Sequence, residues 1–342
     1  MILPQTHIAT LILMILGLLC VGLWANTYKL AGRLRFELYA IDFAIGLGLA
    51  AVIFAFTFGN IGFDGFSLMD DLMNVHKRQW LDAIGAGVIF NLANILLLAA
   101  ISVSGMSAAI PMAWGLTLFV GVLWGQIGQR TSNPLYLYLG CLLVLAAIVA
   151  DAVAYKSLVA SRPAAVPKQG RKVRAPSAVK ALVLSAVSGL LLSGSYPLLK
   201  LASTGDAFLG PYSLMLLFAI GACMSTPVFS IFFMNLPVQG QPLEIMDYFK
   251  AQARRHLLGV GGGILWCTGT LAVFVAAGTA PEAQLGRAST LALSHGGTLI
   301  AGLCGLLVWR EFQEGSGRAK ALAFVTLILF AGGLALLSLV FG

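Results

Sequence analysis

Residues 8–24 read IATLILMILGLLCVGLW, a run of seventeen residues that contains no charged side chain. A helix of about 20 such residues crosses the roughly 30 Å of hydrocarbon in a bilayer. A single chain segment in lipid has to satisfy its backbone hydrogen bonds within itself, which a helix does. We therefore predict that this run forms a membrane-spanning helix.

Apolar runs of this kind recur along the whole chain. Of its 342 residues, 59% are hydrophobic and 10% are charged, whereas soluble domains carry about 25% charged residues. A chain this apolar needs a lipid bilayer around it, so we predict an all-α integral membrane protein with ten transmembrane helices. The predicted spans are 8–28, 38–58, 81–102, 106–127, 134–155, 180–201, 211–234, 257–278, 286–309 and 320–341.

Basic residues fall mainly in every second connection between the predicted spans. That set of connections receives 16 of the 21 Lys and Arg residues and includes the basic, proline-containing linker 156–179. Positive charge marks the cytoplasmic side, so we predict a bacterial-type cytoplasmic membrane location with both termini outside and the linker inside. Because the basic residues flank apolar spans, they do not indicate nucleic-acid binding.

The five cysteines indicate neither disulfides nor a metal site. All of them lie inside apolar runs, and their spacing matches no metal-binding pattern. We expect no cofactor and no metal, with a proton gradient as the energy source. The expected partners are the bilayer and a small-molecule substrate, and the protein is expected to be a monomer or homodimer.

Two halves of the chain resemble each other. Phe43-Ala-Ile-Gly46 recurs as Phe218-Ala-Ile-Gly221, and Gly87-Val-Ile-Phe90 parallels Gly263-Ile-Leu-Trp266. These matches keep the same order in both halves. We therefore predict two five-helix repeats joined by the linker, with boundaries at 1–155, 156–179 and 180–342.

An odd number of spans in each repeat has a geometric consequence. The second repeat must insert upside down relative to the first. Transporters built from such inverted repeats bind their substrate near the membrane midplane, between the repeats. The repeat therefore favours transport over a receptor, scaffold or enzyme.

Polar side chains within the spans are candidates for substrate binding, because each is costly in hydrocarbon. Asn91 and Asn94 lie three residues apart and share one helical face. Their amides suit a neutral polar solute, although an interhelical clamp is the alternative. His295 lies near the middle of span nine, where it either contacts substrate or bonds a neighbouring helix.

Aromatic side chains within the spans suit stacking on a flat heterocycle or on the apolar face of a sugar, although plain packing is the alternative. Two of them occupy equivalent positions in the two repeats, and two lie near the midplane, away from the usual interfacial position of Trp. These residues are Trp24, Tyr196, Trp114 and Trp266.

Three acidic residues are candidates for proton coupling or gating. Asp42 and Asp151 lie about one turn inside the predicted cytoplasmic ends of spans two and five. Each could carry a proton, because burial favours the neutral carboxyl group, or could form a gate ion pair with Lys or Arg. Glu311 ends span nine, where an ion pair with Arg310 or Arg318 is the plain expectation.

Several motifs together resemble the ureide permeases of plants and their bacterial relatives, within the drug/metabolite transporter superfamily. They are Leu18-Leu-Cys-Val-Gly22-Leu-Trp24, Tyr39-Ala-Ile-Asp42-Phe43, the run from Leu49 to Gly62, Asn94 followed by Gly105-Met-Ser107, and Trp309-Arg-Glu311-Phe312.

This resemblance implies proton-coupled uptake of allantoin-like ureides, oxopurines or uracil. It places Trp24, Asp42, Asn94 and Glu311 on family-like positions. Residues 156–179 lack the Walker-A-like sequence of the plant proteins, so nucleotide regulation is not expected. Two alternatives stay open, namely a glucose- or ribose-type sugar permease and an exporter of drugs or metabolites.

Overall fold

The computed structural model describes residues 1–62, 64–126, 133–161, 177–205 and 207–340. Within these residues it is helical, with no strand, and ten helices are long and apolar enough to cross a membrane. The predicted all-α, ten-span membrane fold is therefore confirmed. The ten spans are α1 (His7–Ala31), α2 (Phe36–Phe56), α4 (Lys77–Ser104), α5 (Met106–Gln126), α6 (Pro134–Ser161), α7 (Ala178–Ala202), α8 (Pro211–Asn235), α10 (Ala253–Ala277), the composite ninth span (Arg287–Val308) and α13 (Gly317–Val340).

The ninth span is discontinuous. It consists of α11 (Arg287–His295), α12 (Gly297–Leu303) and a π-helical turn (Cys304–Val308). Two short helices, α3 (Leu68–Asn74) and α9 (Met246–Phe249), lie in connections between spans. Hydropathy predicted one uninterrupted helix at 286–309, because the glycines at the break are as apolar as their surroundings.

The two ends of the bundle can be named by the chain segments that lie there. Helix α6 ends and α7 begins on either side of residues 162–176, and we call this end the linker face. Lys180 of α7 donates to the carbonyl of Val238, and Arg35, which follows α1, donates to Gln241 in the same loop. Helix α7 thus begins at the face where α1 ends.

Close helix crossings in the two halves match residue for residue. A Cβ atom on Gly46 would lie 2.0 Å from the carbonyl oxygen of Val260, and one on Gly221 would lie 2.1 Å from that of Ile84. Across the bundle, α10 packs on α1 and α2, while α4 packs on α7 and α8. Gly46 and Val260 thus cross as Gly221 and Ile84 do, while the two-repeat organisation stays a prediction.

The same correspondence extends to a second glycine pair. Gly263 of α10 lies against the backbone of Phe43, and Gly87 of α4 lies against the backbone of Phe218, each with 2.0 Å between a built Cβ and the carbonyl oxygen. Because glycine lacks Cβ, these backbones approach closely enough to hold the four helices together. They hold the centre of the bundle, where Trp24 and Trp266 lie.

Several span boundaries differ from the predicted ones. Helix α6 runs to Ser161, six residues beyond the predicted end of span five at Tyr155, and α7 begins at Ala178. Helical hydrogen bonding continues past the apolar run, so polar residues that sequence assigned to the linker extend the helices. The remainder of the predicted linker, 162–176, lies outside the described residues.

Candidate functional site

An aromatic cluster occupies the centre of the bundle. Trp266 of α10 stacks on Phe90 of α4, with ring centroids 4.0 Å apart, and lies nearly parallel to Phe218 at 5.8 Å. Phe43 of α2 lies 6.4 Å from Trp266 and contacts Trp24 of α1 edge-on at 5.3 Å. The cluster thus joins helices from both halves of the chain and includes two predicted residues, Trp24 and Trp266.

Two buried hydrogen-bond donors on α1 and α4 have no partner among the described residues. The indole nitrogen of Trp24 and the side-chain nitrogen of Asn94 are both buried, and neither bonds to any described residue. Asn94 lies one helical turn beyond Phe90, on the same side of α4. A buried donor without a partner costs about 1–3 kcal/mol, so an acceptor supplied by a ligand would stabilise either group.

Asn91 has a different role from that of Asn94. Its side-chain nitrogen donates to Ser225 at 2.9 Å and to Thr226 at 3.1 Å, both on α8. All three side chains are buried. Asn91 therefore clamps α4 to α8, which is the alternative raised from the sequence.

The remaining predicted binding residues lie in three different places. Trp114 of α5 is partly buried against the same core as Trp24. His295 is the last residue of α11, at the break in the ninth span. Tyr196 is 49% exposed on the surface of α7, so the structure does not bring it to the aromatic cluster although its repeat counterpart, Trp24, is 1% exposed.

Glu311 ties three segments together at the linker face. Its carboxylate accepts hydrogen bonds from the backbone amides of Met106 and Ser107, at 2.9 and 2.8 Å, and forms an ion pair with Lys29. Gly105, with φ of +89°, leaves room for this carboxylate. The expectation that Glu311 pairs with Arg310 or Arg318 is wrong, because the chain turns at Arg310 and directs Glu311 towards α1 and α5.

A second contact holds the end of α1 to the ninth span. The indole nitrogen of Trp309 donates to the side-chain oxygen of Asn26 at 2.7 Å. Together with the Lys29–Glu311 pair, it fixes the segment after the π-helical turn against α1. The motif Trp309-Arg-Glu311 thus ties the end of the ninth span to α1 at the linker face.

Asp42 forms a cluster with two residues that the sequence did not single out. Its carboxylate lies 2.8 Å from Nδ1 of His256 and accepts a hydrogen bond of 2.5 Å from the hydroxyl of Tyr248. The expected Lys or Arg partner is wrong, because the start of α10 places His256 there. Burial and the neighbouring Asp42 carboxylate raise the pKa of Tyr248, which keeps its hydroxyl protonated as a donor.

Asp151 is fully buried, and neither of its carboxylate oxygens bonds to a described residue. It lies on α6, whose main packing partner is α13. An ionised carboxylate in such surroundings is strongly disfavoured. Asp151 is therefore suited to hold a proton, and it lies apart from the aromatic cluster.

Sequence reasoning missed a further buried polar group. The hydroxyl of Thr298 has no partner among the described residues, whereas Thr117, for instance, bonds the carbonyl four residues before it. Thr298 follows the break in the ninth span, which removes the regular carbonyl partner. The neighbouring Gly297 packs directly on Gly22 of α1. In the sequence, the glycine pair that precedes Thr298 was the signal that could have drawn attention to this buried hydroxyl.

The chain is similar to Ureide permease 4 of Arabidopsis thaliana, with 29% identity over 140 residues. The similar segment covers 38% of this chain and 35% of the plant protein, so the chain matches about a third of the length of this curated relative. The resemblance to the ureide permeases is thus confirmed as a similarity over part of the chain. No protein-family model matches it.

A solved structure, described only as the crystal structure of a protein, has the same overall fold. Its TM-score with this chain is 0.53 at 17% sequence identity, and the alignment covers 98% of both chains. At this identity the likeness concerns the fold alone.

Proposed function

We propose that this chain is a secondary transporter for a small, neutral, planar solute of the nucleobase or ureide class. The observation that carries the proposal is the aromatic cluster with two unpartnered buried donors, Trp24 and Asn94. The plant relative is a permease, and ten membrane spans support transport rather than catalysis.

The chemistry of the cluster favours a ligand that presents acceptors. An indole N–H and an amide NH₂ group donate hydrogen bonds, and carbonyl oxygens in the plane of a flat ring would accept them. Uracil, xanthine and the ring of allantoin combine such carbonyls with a flat ring that would pack against the aromatic cluster. A sugar also offers acceptors, but its ring lacks the flat π-face that an aromatic stack prefers.

Alternating access would follow from the two-repeat architecture. The repeats would rock against each other around the cluster, as transporters with inverted repeats do. The break in the ninth span after His295 supports this movement. In the conformation described here, Trp24 and Asn94 are 1% and 2% exposed.

A proton gradient would drive accumulation. Asp151 is the clearest candidate carrier within the membrane, because its carboxyl group is buried without a partner. Glu311 is assigned to gating, since its hydrogen bonds and its ion pair with Lys29 tie the end of the ninth span to α1 and α5 at the linker face. This face is assigned to the cytoplasm, with both termini outside, because its connections carry most of the basic residues.

Uptake into proteoliposomes tests the proposal. Purified protein should accumulate radiolabelled uracil when the lumen is more alkaline than the medium, and a protonophore should abolish the accumulation. Unlabelled xanthine or allantoin should compete, whereas glucose and ribose should not. Uptake of sugars alone would contradict the nucleobase and ureide class and favour the sugar permease alternative. If none of these solutes is taken up, the proposal that the protein transports them is contradicted.

A further inference from the structure

We propose that Asp42 and His256 share a bound proton that latches the α9 segment, residues 244–252, against α2 and α10 at the linker face. The proposal concerns a proton site and its partner residues. Its coupling to substrate movement rests on the proposed function, but the latch itself does not.

The geometry around the imidazole ring of His256 requires this proton. Nδ1 lies 2.8 and 3.0 Å from the two carboxylate oxygens of Asp42, and Nε2 lies 3.1 Å from the carbonyl oxygen of Tyr248. Both ring nitrogens thus face acceptors, but a neutral imidazole has only one N–H group. A second proton must lie between Nδ1 and Asp42, held either as an imidazolium or as a carboxylic acid.

The hydroxyl of Tyr248 closes the third side of the cluster. It donates to Oδ1 of Asp42 at 2.5 Å, and the ring of Tyr248 lies edge-on to His256 at 4.5 Å. Tyr248 therefore contacts the pair through its hydroxyl, its ring and its backbone carbonyl. Since Tyr248 belongs to α9, the position of that short helix depends on the Asp42–His256 pair.

The two members of the pair differ in how deeply they are buried. Asp42 is 1% exposed, whereas the side chain of His256 is 22% exposed, so His256 gives the proton a route to the solution at the linker face. A Cβ atom on Gly259 would lie 2.4 Å from Cβ of Asp42, so the glycine lets α10 approach this carboxylate. Loss of the proton would leave one N–H on the ring, on the Nδ1 that faces the carboxylate, so the Nε2 lone pair would face the carbonyl oxygen of Tyr248 and the latch would open.

Few other titratable groups face the pair. Tyr39 on α2 bonds Thr27, and Asp247 and Lys250 beside α9 pair with each other. Arg254 and Arg255 begin α10 beside His256, and neither forms an ion pair with a described acidic residue. Deprotonation of the Asp42–His256 pair is therefore the titration expected to govern the position of α9.

Hydrogen exchange measured by mass spectrometry tests the latch without any substrate. Amide protection of residues 244–252 is compared from pH 6 to pH 9 after correction for the intrinsic pH dependence of exchange. Opening that releases one proton grows about tenfold per pH unit, so protection in the wild type should fall steeply above the midpoint. Constant corrected protection across this range would overturn the proposal.

Variants identify the groups responsible. His256→Gln and Asp42→Asn should each give low amide protection of residues 244–252 at both pH 6 and pH 9. In these variants protection should no longer fall as the pH rises. Tyr248→Phe should lower protection but keep the pH dependence, because the shared proton stays in place. His7→Gln, a change to an exposed histidine at the start of α1, should behave as the wild type. Persistence of the wild-type fall in both His256→Gln and Asp42→Asn would also overturn the proposal.

The latch and the transport proposal fail separately. A normal pH-dependent latch in a protein that accumulates none of the test solutes would leave the latch intact and contradict the proposed function. Proton-driven uptake that is unchanged in His256→Gln, with exchange that does not vary with pH in the wild type, would contradict only the latch.

Discussion

The carboxylate of Glu311 accepts a hydrogen bond from the hydroxyl of Ser107 at 2.5 Å. These residues lie 204 positions apart, at the end of the ninth span and the start of α5. With Lys29 on the other side, the contact joins one half of the chain to the other at the linker face. Closure at this face thus depends on a few strong polar contacts.

Glu311→Gln should loosen this closure. The variant keeps the size of the side chain but removes its charge, and hydrogen bonds to charged groups contribute about 1.5–3 kcal/mol each. We expect a lower Tm in differential scanning fluorimetry and faster deuterium labelling of the backbone amides of Met106 and Ser107, which bond to this carboxylate. Glu282→Gln, at an exposed loop position, is the matched control. Unchanged Tm and labelling in Glu311→Gln would refute the gating assignment.

Gly46→Ala and Gly221→Ala should destabilise the protein to a similar extent. Each added Cβ would lie about 2 Å from a backbone carbonyl of the facing helix, at Val260 or Ile84. Overpacking of this kind costs about 1–3 kcal/mol. Gly261→Ala, where no atom lies within 4 Å of the built Cβ, should be neutral or stabilising. A marked Tm loss in only one of the first two variants would contradict the equivalence of the repeats.

Asn91→Leu and Asn94→Leu should have opposite effects. Asn91 bonds Ser225 and Thr226, so its loss leaves α8 hydroxyls without a partner and should lower Tm. Asn94 carries an unpartnered amide nitrogen, and replacing such a group with an apolar one is neutral or stabilising. Asn94→Leu should keep or raise Tm while losing stabilisation by uracil. The reverse pattern would assign the ligand contact to Asn91.

Asp151→Asn should uncouple transport from the proton gradient. The variant cannot exchange a proton at this buried position, so gradient-driven accumulation of uracil should be lost while solute counterflow continues. Asp82→Asn serves as the control. Asp82 lies near the start of α4, and this variant should keep accumulation. Full accumulation in Asp151→Asn would remove Asp151 from the coupling mechanism.

Much of the fold follows from local composition. Ten spans could be located because each apolar run is long enough to cross the bilayer, and the recurrence of Phe43-Ala-Ile-Gly46 in the second half predicted two repeats. The break at Gly296 could not be located, because glycine occurs in continuous spans as well. Helix ends such as Ser161 lie beyond the apolar runs. They could not be located, because hydropathy does not report hydrogen bonding.

The site was only partly predictable. Trp24, Asn94 and Trp266 were singled out because polar and aromatic side chains are rare near the middle of a span, and they lie at the cluster. His256 was not, because it lies in a polar segment 214 residues from Asp42, and only the packing of α10 on α2 joins them. Tyr196 matched Trp24 in sequence, but the surface of α7 that carries it faces outward.

The most direct test of the central claim is isothermal titration calorimetry of the purified protein with uracil, xanthine, allantoin, glucose and ribose. At least one of the three heterocycles should bind and neither sugar should. Trp24→Phe should weaken that binding about tenfold, because it removes one hydrogen-bond donor but keeps an aromatic ring. Trp124→Phe, at a position 47% exposed, should not. Binding of sugars alone, or heterocycle binding that is unchanged in Trp24→Phe, would contradict the account.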